Sequence, residues 1–109
     1  MNKNEFLNNF KYDLIHSNIN FALPTVSWSD KVGNITVEYL SSVSSDKRVS
    51  KSDLFMEMGD IIKDTLCHGD SFGVEMCLSK ATDYMFWMYF QNMLGKKDKE
   101  KMEKLMERA

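Results

Sequence analysis

The chain is poor in cysteine, with two in 109 residues. Cys67 and Cys77 are too few and too unpatterned to form the disulfide framework of a small secreted domain. No stretch approaches the roughly 20 apolar residues that a membrane-spanning helix needs. The opening residues, Met1-Asn2-Lys3-Asn4-Glu5, lack the apolar segment of a signal peptide. These absences lead us to expect a cytoplasmic protein with reduced thiols and no membrane association. The sequon Asn34-Ile35-Thr36 is then a chance match, because glycosylation needs a secretory route. An excess of one charge is missing too: 14 basic against 16 acidic residues leave a net of -2. That balance disfavours a nucleic-acid binder relying on bulk positive charge and is far from the acidity of a DNA mimic. The five glycines are scattered and build no phosphate-cradling loop. No nucleophile-elbow sequence and no DNA-recognition turn is present. No cofactor is expected.

What is present is apolar substance. Hydrophobic residues make up 43% of the chain, which argues for order rather than disorder. The length fits a single domain, residues 1–109, able to bury a core without staples. Nine methionines are many for this length. Methionine suits adaptable binding surfaces, but it also fills core gaps, which is the plainer reading.

Periodicity places a first helix over about Asn4 to His16, with Phe6, Leu7, Phe10 and Leu14 on one side. The turn-forming run Ser17-Asn18-Ile19-Asn20 ends it. Two strands are expected next. Thr25-Val26-Ser27-Trp28 alternates in period two after Pro24, and in Asn34–Leu40 the residues Ile35, Val37 and Tyr39 share a face. Ser29–Gly33 reads as the hairpin loop between them. A third strand reaching Val43 or Val49 is the extension of this reading, with residues 41–48 otherwise an exposed loop. A second helix starts near Ser50 or Ser52, where Ser50 and Asp53 have the form of a capping box. Its apolar face is Leu54, Met58, Ile61, Ile62, Thr65 and Leu66, and Gly69 stops it. A third helix runs from Asp70 or Ser71 to about Leu94, with Gly95 as its stop. The charged tail, residues 96–109, extends as a fourth helix with a thin stripe of Met102, Leu105 and Met106. The fold class expected is therefore α+β: a β-hairpin, or a three-stranded antiparallel sheet, packed against three to four α-helices.

Three constellations carry chemistry in principle. Glu57, Asp60, Asp64 and His68 fall within about a quarter of the circumference of the second helix. Carboxylates and an imidazole on successive turns suit a divalent metal, and a metal-dependent hydrolase is the sharpest catalytic alternative. An acidic outer face is also ordinary, and His68 suits the negative end of a helix, so the solvated face is the stronger reading. Cys67, His68 and Cys77, with His16 as a fourth, match no standard zinc spacing. Cys77 falls on the core face of the third helix, which favours a buried, inert thiol. Lys47, Arg48 and Lys51 form a basic loop cluster, the basis of an alternative as a nucleic-acid-associated regulator. The terminal Lys96, Lys97, Lys99, Lys101 and Lys104 are interleaved with Asp98, Glu100 and Glu103, which cancel much of their charge.

The run Tyr84-Met85-Phe86-Trp87-Met88-Tyr89-Phe90 is the most unusual feature. Val74, Cys77, Leu78, Ala81, Tyr84, Met85 and Met88 make an ordinary core stripe. Glu75, Ser79 and Asp83 mark the opposite side as solvent-facing. Phe86, Trp87, Phe90, Met93 and Leu94 then continue on that solvent side. Either the chain's own hairpin or tail covers them, or they bind a protein partner or a second copy. With no catalytic motif, we expect a small non-enzymatic interaction protein that inhibits or modulates a macromolecular partner. Its lysine- and asparagine-rich composition resembles that of small phage and mobile-element proteins.

Overall fold

Helices account for every regular element of the computed structural model, which describes residues 2–108. They are α1 (Lys3–Ile15), α2 (Ser29–Ser41), α3 (Lys51–Thr65), α4 (Ser71–Phe90) and α5 (Lys96–Glu107), with a 3₁₀ turn at Thr25–Ser27 before α2. Among the described residues there is no strand, so the expected α+β fold with its β-hairpin is overturned. The first expected strand is the 3₁₀ turn, the hairpin loop is the first turn of α2, and Asn34–Leu40 is the body of that helix.

The reason lies in competing periods. Ser29, Val32, Gly33, Thr36 and Leu40 are the buried residues of α2, and they recur at helical spacing. Ile35, Val37 and Tyr39, which alternate as a strand face would, are only half-buried. β-branched residues favour strands through the packing a strand offers, and the packing here rewards the helical face instead. Thr36 removes the remaining objection, because its buried hydroxyl donates to the Val32 carbonyl one turn back at 2.8 Å. Gly33 completes the face. A Cβ there would stand 3.3 Å from the Cys77 carbonyl oxygen and 3.3 Å from Lys80 Cβ, so its absence lets α2 lie close on α4.

That α2–α4 contact is the most extensive helix pair in the molecule. α1 packs on α2 and α3, α4 also contacts α3, and α5 rests on α3 and α4. The core between them includes Phe10, Leu14, Val32, Leu40, Leu54, Met58, Ile62, Cys77, Ala81 and Met88. Met58, Met85, Met88 and Met102 are buried, so much of the methionine fills the core. Tyr39 joins α2 to α1 edge-on against Phe6 and Phe10, with centroids 5.4 Å apart in each case, and its hydroxyl donates to Asp13. The segment before α2 is tied down by buried Trp28, whose indole N–H donates to the Leu23 carbonyl at 2.8 Å.

The helix ends refine the sequence reading. Ser50 caps α3 by accepting from the Asp53 N–H at 3.4 Å, but Asp53 does not reach back to complete a box; its carboxylate meets Lys97 at 3.4 Å and Lys101 at 3.2 Å. Lysine proximity, Lys101 first, holds that carboxyl below its ordinary range. Asp98 of α5 does the rest of the capping. It is buried and accepts from the Lys51 N–H (2.8 Å), the Ser52 N–H (3.3 Å), and the hydroxyls of Ser50 (3.0 Å) and Ser52 (2.6 Å). A carboxylate there also suits the positive end of the α3 dipole. α4 stops at Phe90, with Asn92 at φ 57 taking the left-handed position, rather than running to Leu94. Gly95 is instead the N-cap of α5 at φ -70.

Candidate functional site

The second half of α4 decides which of its aromatics are free. At about 100° per residue, Phe86, Phe90 and Trp87 fan over roughly 100° of the helix surface, away from the side that carries Cys77, Ala81 and Met88. Trp87 is 48% exposed and Phe90 69% exposed. Tyr84 stacks on Trp87 with centroids 5.4 Å apart, and Tyr89 meets Phe90 edge-on at 5.2 Å. Phe86 and Met93 are half-buried, and Leu94 is 2% exposed in the core. The structure therefore keeps Phe86, Trp87 and Phe90 together on one surface and places Leu94 elsewhere. The cover expected from a hairpin does not exist. The tail does cover part of this helix: α5 packs on α4, buries Met102 and brings Glu103 to the Tyr89 hydroxyl at 3.3 Å.

Where α5 stops short of closing over α4, a groove of about 460 Å³ remains. Phe55, Met56 and Ser52 line it from α3, Thr82, Met85 and Phe86 from α4, and Lys101, Met102, Lys104, Leu105 and Arg108 from the α5 side. Met56 is 62% and Leu105 52% exposed, so apolar side chains stand open on both banks. Phe86 belongs to both features, and Phe90 lies one turn beyond it on the same helix. Groove and aromatic surface are thus continuous through Phe86. Met56 and Phe55 were missed in the sequence. Their signal was Leu54-Phe55-Met56, three consecutive apolar residues on a helix, which span roughly 200° and cannot all face one core.

The charges of α5, which alternate along the chain, separate only in part in space, since Lys96 and Lys99 fall on or beside the acidic side. Lys97, Lys101, Lys104 and Arg108 follow i, i+4, i+7, i+11 spacing and share one side, while Glu100, Glu103 and Glu107 share another. Along the basic side, Lys97 and Lys101 are occupied by Asp53. Among the described residues no carboxylate lies within 4.0 Å of the Lys104 or Arg108 side chain. Both are exposed, and both border the groove.

The metal candidates are dispersed. Glu57 is engaged by Lys3 at 2.7 Å, at ion-pair distance though without hydrogen-bond alignment. Asp60, Asp64 and His68 are exposed, and α3 ends at Thr65. The chain unwinds there, with the Cys67 N–H bonded to the Ile62 carbonyl and His68 at φ 48. The imidazole has left the helical face that would have aligned it. No group of three or more His, Cys, Asp or Glu side chains among the described residues is disposed to hold a metal.

The basic loop cluster is likewise split. Lys51 is fully buried, and its ammonium donates to the Asp46 carbonyl at 2.5 Å, with burial lowering its pKa. Arg48 grips Asp46 through two bonds of 3.0 and 3.1 Å, which holds the Asp46 carboxyl at about 2. Only Lys47 of the three is exposed without such an engagement among the described residues.

Cys67 and Cys77 are both free and buried. Burial raises the Cys67 thiol and pushes Cys77 up to about 12, so both remain protonated near neutrality. This suits core packing and not nucleophilic catalysis. No described helix is long and apolar enough to cross a membrane.

No family model, curated protein or solved structure matches this chain.

Proposed function

We propose that the chain is a small non-enzymatic interaction protein, and that it engages a macromolecular partner through Phe86, Trp87 and Phe90 of α4. The observation that supports this reading is the exposure of Trp87 and Phe90 beside an open apolar groove, on a helix whose other side is core. Large aromatics and methionine are enriched at the centres of interfaces, and the aromatics bury large area at low entropic cost. A contiguous apolar surface left open to water is costly unless something covers it in use. Inhibition or modulation of that partner is the role that fits a chain whose described residues bring no catalytic group together.

A photo-crosslinking side chain placed at Trp87 tests the reading in the native cell, with one at exposed Asn9 on α1, a helix that packs on α2 and α3 and not on α4 or α5, as control. We expect a discrete conjugate from position 87 alone, lost on Phe90→Ala. Equal labelling from both positions, or none from either, would count against the proposal. Sedimentation of the purified chain separates a partner from a second copy. Trp87→Ala and Phe90→Ala are expected to stay folded, because neither side chain belongs to the buried core.

A further inference from the structure

We infer that the groove between α3, α4 and α5 receives the apolar face of an acidic amphipathic helix belonging to a protein partner, an inference that rests on the interaction reading above and names the chemistry of the occupant. Three features of the groove point there. Its banks are apolar, with Phe55, Met56, Phe86 and Leu105 offering contact to side chains rather than to polar groups. Its charged rim has one sign: every ionisable residue lining it is Lys or Arg. Of its three cations, the two toward the C-terminal end of α5, Lys104 and Arg108, are engaged by no described carboxylate.

Each feature removes a competitor. A small anionic lipid needs a site that buries roughly 70–90% of its surface, and this groove is open along one side. A flat membrane surface would not fill a concavity. A second copy offers the acidic Asp60 and Asp64 of α3 beside exposed Met56, but the positions i+3, i+4 and i+7 from Met56 are Gly59, Asp60 and Lys63, so that face lacks the further apolar anchors the groove would take. A partner helix with apolar anchors at i, i+3 or i+4 and i+7 fits the concavity. Glu or Asp beside those anchors then meets Lys104 and Arg108, where the guanidinium offers a bidentate contact. Lys101 is held back by Asp53, so the rim's attraction is concentrated at the C-terminal end of α5. That gives the bound helix a direction: its acidic end lies toward Arg108.

The test is selection from a displayed library of helical peptides, randomised at the apolar and flanking positions, against the immobilised full chain. We expect enriched peptides to carry apolar anchors at helical spacing and acidic flanks. The best of them, synthesised with its flanking Glu replaced by Gln, should bind about tenfold more weakly. K104E/R108E should shift the selected flanks from acidic to basic, and Leu105→Glu should abolish binding while circular dichroism shows an unchanged helical fold. Neutral or basic flanks in the first selection, failure to enrich any helix, or binding that survives Leu105→Glu would overturn the inference. So would dimerisation in sedimentation that Leu105→Glu abolishes, which assigns the groove to a second copy. Co-sedimentation with phosphatidylserine-containing phosphatidylcholine vesicles that depends on Leu105 would assign it to a lipid surface. Crosslinking from Trp87 that persists when the groove tests fail leaves the aromatic-surface proposal standing and removes this one; the opposite pattern removes the aromatic surface.

Discussion

Asp98 accepts two hydrogen bonds from Ser52, one from its backbone N–H and one from its hydroxyl, across a separation of 46 residues. The pair fastens the first turn of α5 to the first turn of α3. It also resolves what to do with donors that a helix start always leaves unmade.

Asp98→Ala removes a buried acceptor from four donors at once. Charge-assisted bonds to buried groups are worth about 1.5–3 kcal/mol, and orphaned donors add to the loss. We expect a destabilisation of about 2–4 kcal/mol, read in urea as a lower midpoint. Ser52→Ala, which leaves the N–H bond in place, should cost less.

Gly95 makes the tightest approach of the five glycines. A Cβ there would stand 2.6 Å from the Lys47 carbonyl oxygen, a backbone atom that cannot turn aside. Gly95→Ala should therefore push α5 off the loop before α3 and cost about 1–3 kcal/mol. Its φ of -70 is open to any residue, so the effect is steric rather than conformational. Thermal unfolding of the variant beside Asp98→Ala and the double variant is the check. Because both act on one junction, the two losses should not add.

The aromatic run and its neighbours divide by burial. Leu94, at 2% exposed, should cost about 2–4 kcal/mol when replaced by Ala. Phe90, at 69% exposed, should cost about 0.5 kcal/mol or less. Comparable losses at the two positions, measured by denaturant titration, would place Phe90 in the core and remove it from any interface.

The buried thiols make stability fall in alkali. The Cys77 thiol moves from an ordinary value of 9.0 to about 12 on folding. Between those values the unfolded chain has lost its proton and the folded chain keeps it. The unfolded state then binds fewer protons, so stability declines as pH rises from about 9 to about 12. Burial of Cys67 acts in the same direction. Unfolding midpoints at about pH 8 and about pH 10 should show the decline, and Cys77→Ala should make it shallower.

Four of the five helices were legible from apolar residues at helical spacing on one face, although the second half of α4 is apolar all round. In α1 the apolar Leu7 beside Phe6 and the polar Asn8 between Phe6 and Phe10 break the alternation a strand would need, and the Ser50 and Asp70 caps mark helix starts by their side-chain chemistry. α2 was not legible, because Val32–Leu40 satisfies two periods at once and the choice is made by α4, which presents Cys77 and Lys80 to Gly33. Phe86, Trp87 and Phe90 were visible as apolar residues on a polar side. The groove was not, since it exists only where α5 lies relative to α3. The charge pattern of α5 misled for a related reason: residues that alternate along the chain, Lys97, Lys101, Lys104 and Arg108, come together on one side of the helix.

The side-chain fastenings of α5 are unevenly placed. Asp98, Lys97 and Lys101 tie its first half to α3, and Glu103 reaches Tyr89. Beyond Glu103, no side-chain hydrogen bond or ion pair holds the described residues, and Lys104, Leu105 and Arg108 all lie there. The helix is a cantilever, clamped at its root and free at its tip. Its last turn, roughly 6 Å long at 1.5 Å per residue, carries the outer part of the groove bank, beyond Lys101 and Met102. A change at Asp98 or Gly95, at the root of α5, is therefore expected to alter the opening at a distance from the residues that line it.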